Sequence, residues 1–245
     1  MPNWCDNSFT VEGPAEKLAL FVSTFKGENN DSDKVGLFGS FLPVPEPLVE
    51  ATKGSESLAY DLYYGEIPHY VYMWDEVKDA DITEETDNVR ERLIELLAQS
   101  HTYVTREVAD LYKYNKDTYG FLCWYDWCVA NWGTKWDVPK DEYLGAANYE
   151  DQAVHTYFNT AWGPALEWAE QVSLDWPELE FTTEYSEFGM WFAGRHRVKN
   201  GEVLVRVEGE PQSLGSNGEP MFPFCYDEAV EAIRENGECG WESGV

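Results

Sequence analysis

Apolar positions change their period several times along the chain, and each change predicts an element. In NSFTVE at 7–12, Phe9 and Val11 fall on one face of an alternating run that stops at Gly13, the pattern of a half-buried strand. Pro14 follows where a first helical turn tolerates it, and Leu18, Phe21, Val22 and Phe25 recur at helical spacing. The Gly/Asn/Asp-rich stretch 26–34 reads as a loop, and 35–42 as a glycine-interrupted strand or irregular apolar segment. PVPEP at 43–47 closes this first unit, because its three prolines remove donors and fix φ.

From 48 to about 118 the pattern turns helical. DLYYGEIPHYVYMW at 61–74 is aromatic but broken by Gly65 and Pro68. Beyond the acidic run that follows, Val89, Leu93, Leu96 and Leu97 share a stripe, with Arg90, Glu91 and Glu95 on the wet side. Thr83 or Asp87 is the expected cap, and the helix is expected to resume from Val104 to Tyr114. FLCWYDWCVANWGTKWD at 121–137 packs four tryptophans into seventeen positions and reads as the core around which the chain is organised.

Alternation returns in HTYFNTAW at 155–162, with Thr156, Phe158 and Trp162 expected on one face. Pro164 then opens a helix striped by Ala165, Trp168, Ala169, Val172 and Trp176, which Pro177 stops. Leu179, Phe181, Thr183 and Tyr185 alternate, Gly189 turns the chain, 190–198 runs back, and Asn200-Gly201 is a hairpin signal. A short helix over Tyr226–Asn236 with Asp227 near its cap is expected before a loose tail. The order gives an α+β fold: a ferredoxin-like split βαβ antiparallel sheet with helices on one face, built from 1–47 and 120–207, plus a mainly helical acidic insertion at 48–119 and a C-terminal extension at 208–245.

Composition adds a partner class. Hydrophobic residues are 43% and aromatics 16% of the 245, which excludes a disordered chain, while 17 Lys and Arg against 46 Asp and Glu leave a net charge of −29. Such a surface repels phosphate, so direct binding to nucleic acid or an anionic membrane is disfavoured and a basic protein partner is expected. No run is long enough to span a bilayer and MPNWCDNSFTVEG lacks the features of a signal peptide, so the expected location is the cytoplasm. Cys5, Cys123, Cys128, Cys225 and Cys239 are odd in number and irregularly spaced, which fits free thiols better than disulfides or zinc.

Five segments in order carry a resemblance: the opening MPNWCDNSFTVEGP, Phe41 with Pro43 and Pro45, NWGTKWD at 131–137, FNTAWGP at 158–164, and WPELEFTTEYSEFGMWFAG at 176–194. Together they resemble the YubB-type ferredoxin-like domain family of phages, plasmids and genomic islands, over about 1–47 and 121–207. The resemblance implies the fold and a mobile-element origin. It implies no catalytic residue.

Candidate chemistry is correspondingly thin. Trp191, Phe192 and Tyr185 could stack nucleobases beside Arg195, His196 and Arg197, or pack into the core, and the net charge favours packing. Asp126, Asp137, His155 and Glu187 are the only dispersed acid/base or metal candidates, and there is no phosphate loop, nucleophile elbow or His-Glu-x-x-His. The His-Thr-Tyr strings at His101 and His155 match the paired-histidine phosphodiesterase pattern poorly, because a tyrosine stands where the hydroxyl residue belongs. No cofactor or metal is expected.

Two acidic runs stand out. Asp75, Glu76, Asp79, Asp81, Glu84, Glu85 and Asp87 are interrupted only by Lys78, and Glu167, Glu170, Asp175, Glu178, Glu180, Glu184 and Glu187 by no base. Twenty-nine charges correspond to roughly 50 Å of duplex, comparable with the roughly 45 Å diameter expected for a compact chain of this length. The leading expectation is therefore a non-enzymatic interaction protein of a mobile element that mimics nucleic acid and inhibits a host defence or DNA-handling protein. A metal-assisted hydrolase using clustered carboxylates and a structural or dimerising module with exposed aromatics are the alternatives.

Overall fold

The computed structural model describes residues 3–27, 35–51, 57–150, 152–187, 189–190 and 192–209, with the strand pairs 213–214 and 220–221. Trp191 and the expected helix at 226–236 lie outside the described residues, as do Cys225 and Cys239. The chain divides into two compact units, 1–42 with 132–245, and 43–131.

In chain order, β1 (Trp4–Glu12) leads into α1 (Ala15–Phe25) and then α2 (Leu37–Phe41). The segment 35–42, read as a glycine-interrupted strand or an irregular apolar segment, is therefore helical over Leu37–Phe41. The second unit holds α3 (Glu46–Glu50), α4 (Ser57–Tyr63), a 3₁₀ turn at His69–Met73, α5 (Asp75–Asp79), α6 (Val89–Ser100) and α7 (Arg106–Tyr119), and α8 (Trp124–Trp132) reaches its boundary. PVPEP does not merely stop the chain, since Pro45 is the N-cap of α3 and Pro47 lies in its first turn, where a missing N–H is harmless. Then come α9 (Lys140–Gly145), β2 (Asn148–Tyr149), β3 (Ala153–Ala161), α10 (Leu166–Asp175), β4 (Glu180–Glu187), β5 (Phe192–Lys199) and β6 (Glu202–Gly209), with the short β7 (Ser213–Leu214) and β8 (Pro220–Met221).

Six strands form one antiparallel sheet in the order β2-β3-β1-β4-β5-β6. Since β3 and β4 both pair antiparallel with β1, they run parallel to each other, and α10 crosses between them as a split βαβ. The fold is α+β and ferredoxin-like. Asn200 and Gly201 take φ of 49° and 72°, the left-handed pair that a two-residue hairpin between β5 and β6 requires.

The core of the first unit gathers on α10 and not on the tryptophan-rich stretch. Trp168 is fully buried with ring centroids 5.0–5.7 Å from Phe38, Phe9 and Phe41, and its indole N–H donates to the Phe38 carbonyl. Residues 121–137 are instead divided: Cys123, Trp127 and Cys128 are buried in the second unit, Trp132 in the first, and Trp136 is exposed. The indole N–H of Trp132 donates to the Leu42 carbonyl. Trp162, expected in the β3 stripe, has φ 74° and stands 52% exposed, because the strand ends at Ala161.

In the second unit Leu93 and Leu97 of α6 are buried among Leu58, Leu62, Val71 and Val77, with Val89 and Leu96 packed against them. Neither Thr83 nor Asp87 caps α6; its N-cap is Asn88 at φ 51°, and Thr83 bonds to Thr86 within the preceding turn. Arg90 is not on a wet face. Its guanidinium donates to the carbonyls of Asp61, Leu62 and Gly65 at the end of α4, where free carbonyls and the negative end of the helix dipole attract a cation. The chain breaks at His101 before Thr105 caps α7.

Candidate functional site

Alternation along the strands separates two faces of the sheet. On β1, Cys5, Asn7, Phe9 and Val11 are buried, which turns Asp6, Ser8, Thr10 and Glu12 to the other side. Register then sets rows across that side: Asn159, Asp6 and Ser186; Tyr157, Ser8, Glu184 and Arg195; His155, Thr10, Thr182 and Arg197. A groove of about 700 Å³ lies over the first two rows, with Glu142 and Ala146 on its wall. Glu142 is held there because its carboxylate accepts the Asn159 N–H at 2.7 Å. Tyr157 is 61% exposed on the groove.

Of the expected stacking set, Tyr185 and Phe192 do not lie on this open face, and Trp191 is outside the described residues. Tyr185 is buried on the helix side with Cys5 and Leu166, Phe192 packs against them, and the phenol of Tyr185 donates to Glu208. Arg195 and Arg197 do face the groove side, but each sits beside a carboxylate, Glu184 at 3.5 Å and Glu180 at 2.9 Å. His196 points the other way and is fully buried, with Glu170 Oε1 3.0 Å from Nε2 but outside hydrogen-bond geometry. Burial, reinforced by the nearby Arg206 charge, pushes its imidazole down to about 4, so it is neutral at pH 7.

The acids from 167 to 187 thus form no single row. Glu178 pairs with Lys17 of α1 at 2.8 Å, Glu180 and Glu184 with the β5 arginines, and Glu170 lies between His196 and Arg206. Glu187 is buried and accepts the backbone N–H groups of Gly189 and Met190 at the β4–β5 turn. Glu167 is half-buried, its carboxylate within 2.2 Å of where a side chain on Gly133 would begin, and Asp175 is exposed. The bases that answer this run come from other elements.

The run in the second unit is different. Asp75, Asp79, Asp81, Glu84, Glu85 and Asp87 are exposed on α5 and the turns after it. Lys78 approaches Asp75 only to 3.9 Å, and Glu84 meets His69 at 2.7 Å. Glu76 departs from the set: it is half-buried, accepts from Ser100 at 2.7 Å, and lies 2.8 Å from His101, contacts that hold its carboxyl below the usual range.

Three of the four acid/base candidates, Asp137, His155 and Glu187, lie in the first unit and do not converge. Asp126 is on α8 in the second unit. Asp137 accepts the backbone N–H groups of Phe38, Gly39 and Val138 at 2.7–2.9 Å, and burial pushes its carboxyl up while those donors pull it down. His155 bonds to Thr10 on the open face, whereas Glu187 opposes Cys5, five residues along β1 and on the other face, a separation of roughly 17 Å. Cys5, Cys123 and Cys128 are free and buried, the thiol of Cys5 pushed up to about 12 by burial.

Asp6, Glu142 and Tyr157 of the groove escaped sequence reasoning. The signal for Asp6 was the polar half of the β1 alternation, and for Tyr157 an aromatic in the polar phase of β3. One end of the first unit also carries exposed indoles: Trp4 is 50% and Trp136 42% exposed with centroids 6.0 Å apart, Lys135 lies 3.8 Å over Trp136, and the backbone N–H of Trp162 donates to the Asn3 carbonyl.

Residues 131–219 match a family model described as the ferredoxin-like domain in Api92-like protein. Among solved structures, the crystal structure of a protein api92 from Yersinia pseudotuberculosis is similar at 12% identity, covering 88% of this chain and 100% of that one with a TM-score of 0.39. No curated protein matches the chain. The matched segment runs from the end of α8 through β7, so it takes in every strand of the large sheet except β1. No helix among the described residues is long and apolar enough to cross a membrane.

Proposed function

We propose that the chain is a non-enzymatic acidic interaction protein of a phage or mobile element, which presents carboxylates to the basic groove of a nucleic-acid-binding host protein and blocks it as a nucleic-acid mimic. The observation that supports this most is the exposure of six acids between Asp75 and Asp87 with Lys78 as the only base in that stretch. Like charges held close on a folded surface repel one another, and a basic partner relieves that repulsion while a polynucleotide adds to it. The test is capture of basic proteins from host lysate by the intact chain at low and high salt, beside a variant with these six acids changed to Asn or Gln. Capture should fall with salt, fall with the variant, and be competed by duplex DNA. Capture indifferent to both salt and the six substitutions would remove the basis of the proposal.

A second reading is favoured by the exposed indoles of Trp4, Trp136 and Trp162, since large apolar surface held in solvent marks association sites. It makes the first unit a dimerising module. Sedimentation showing a monomer at working concentration counts against it.

A further inference from the structure

We infer that the open face of the sheet is a second binding site, for a guanidinium or ammonium side chain carried by a basic polypeptide, with Asp6 as its charged anchor and Tyr157 as its ring platform. The site is a cavity of about 700 Å³ and does not involve the Asp75–Asp87 surface.

Three observations carry it. Asp6 is an exposed carboxylate of the groove floor that no described base approaches, and desolvation by the groove already pushes its carboxyl up, so a cation at Asp6 gains an electrostatic partner that the protein itself does not supply. Glu184 differs, since Arg195 stands at 3.5 Å, and Glu142 holds the Asn159 N–H, so the groove keeps two carboxylates without a cation beside them. Tyr157 lies diagonally across from Asp6 in the β1–β3 register, a spacing of roughly 7–8 Å that places an exposed ring within reach of a cation bound at Asp6. Ser8 and Ser186, the neighbours of Asp6 along β1 and across to β4, add hydroxyl acceptors on the same face.

The electrostatics select the occupant. A phosphate or carboxylate entering here would meet Asp6, Glu142 and Glu184 together, and an uncharged apolar group would bury Asp6 without compensation. A planar guanidinium answers the carboxylate with paired donors and stacks on the tyrosine, which makes arginine a better fit than lysine.

The probe is a short peptide, acetyl-Gly-Arg-Gly-amide, titrated into the full chain and followed by amide shifts and calorimetry, with the same peptide carrying uncharged citrulline as control. Shifts should concentrate on Asp6, Ser8, Tyr157 and Ser186, the citrulline peptide should bind at least about tenfold more weakly, and Asp6→Asn and Tyr157→Ala should each weaken arginine binding by about five- to tenfold. Both positions are exposed strand sites, and circular dichroism confirms the fold of each variant. The six-acid variant of the second unit should leave these shifts in place, which separates this site from the docking surface proposed above. Equal binding of the citrulline peptide, undiminished binding by Asp6→Asn, or shifts confined to the second unit would each overturn the assignment.

Discussion

Replacing Asp137 by alanine should destabilise the first unit by about 3 kcal/mol, and the reason lies in three backbone N–H groups. Phe38 and Gly39 donate to its two carboxylate oxygens at 2.7 and 2.9 Å, and Val138 donates at 2.8 Å. Phe38 is fully buried, so its N–H finds no water after truncation, and an unsatisfied buried donor costs about 1–3 kcal/mol. Gly39 is half-buried and its N–H is partly replaced by solvent, while the lost charge at the start of α2 adds about 0.5–1 kcal/mol. Against this, releasing a carboxylate that burial disfavours returns part of the loss, which brings the total to about 3. Asp137→Asn keeps one acceptor but turns an amide N–H₂ toward a donor, so it should lose about half as much. The assay is urea denaturation of both variants together with hydrogen exchange at Phe38 and Gly39, because two units need not unfold in one transition. Alanine should speed exchange at these two amides far more than at Leu93 in the second unit. A loss below about 1 kcal/mol, or unchanged exchange at Phe38, would refute the idea that Asp137 is the structural anchor of α2. Either would return it to the list of acids open to chemistry.

The pH profile should carry the mark of His196. With its folded value near 4 and an ordinary value of 6.5, the unfolded chain takes up a proton that the buried ring refuses, so stability is lost as pH falls from 6.5 toward 4, by up to about 3 kcal/mol. His196→Gln should flatten that slope in thermal unfolding at pH 7 against pH 4.5, and an unchanged slope would show that Glu170 holds the ring protonated after all. In the second unit, Leu93→Ala deletes a fully buried side chain from the α6 stripe and should cost about 2–5 kcal/mol by denaturation, whereas a loss under 1 kcal/mol would mean that α6 does not pack as described.

What was legible in the sequence follows the range of the forces involved. Alternation in β1 and β4, the α1 and α10 stripes and the Asn200-Gly201 hairpin are set by neighbours within a few residues, so their periods are visible in the chain. The helix at 37–41 was not, because its start is secured by a carboxylate a hundred positions away, and Gly36 is needed where a side chain would come within 2.3 Å of the Val138 carbonyl. Tryptophan density at 121–137 was a misleading guide, since residue type says that a ring will be buried but not in which unit. Arg90 looked like a wet-face residue for the same reason: the carbonyls that hold it belong to α4 and to Gly65 just beyond it, some twenty-five to thirty residues earlier. The groove was invisible because Asp6, Tyr157 and Glu184 lie on three strands whose order places the first between the other two.

Total charge is a weak locator of function here, and the two units show why. The second has 18 acidic and 7 basic residues, a net of −11 over 89 positions; the first has 28 and 10, a net of −18 over 156, which is nearly the same density. Their described surfaces nonetheless differ. In the first unit, strand pairing sets Arg195 and Arg197 against Glu184 and Glu180, and Lys17 reaches Glu178, so a base-free run in sequence becomes a set of ion pairs in space. In the second unit, Arg106 and Lys113 pair with Asp110 and Asp117 on their own helix, and Arg90 is engaged with backbone carbonyls. These bases are therefore committed away from Asp75–Asp87. Charge that the fold itself neutralises adds little to a long-range field, whereas charge left uncompensated sets both the sign of the partner and the salt dependence of its approach. It follows that the Asp75–Asp87 surface and Asp6 in the groove are worth probing because their carboxylates stand without an arginine beside them, whereas the equally acidic run from Glu167 to Glu187 is largely answered by bases from other elements.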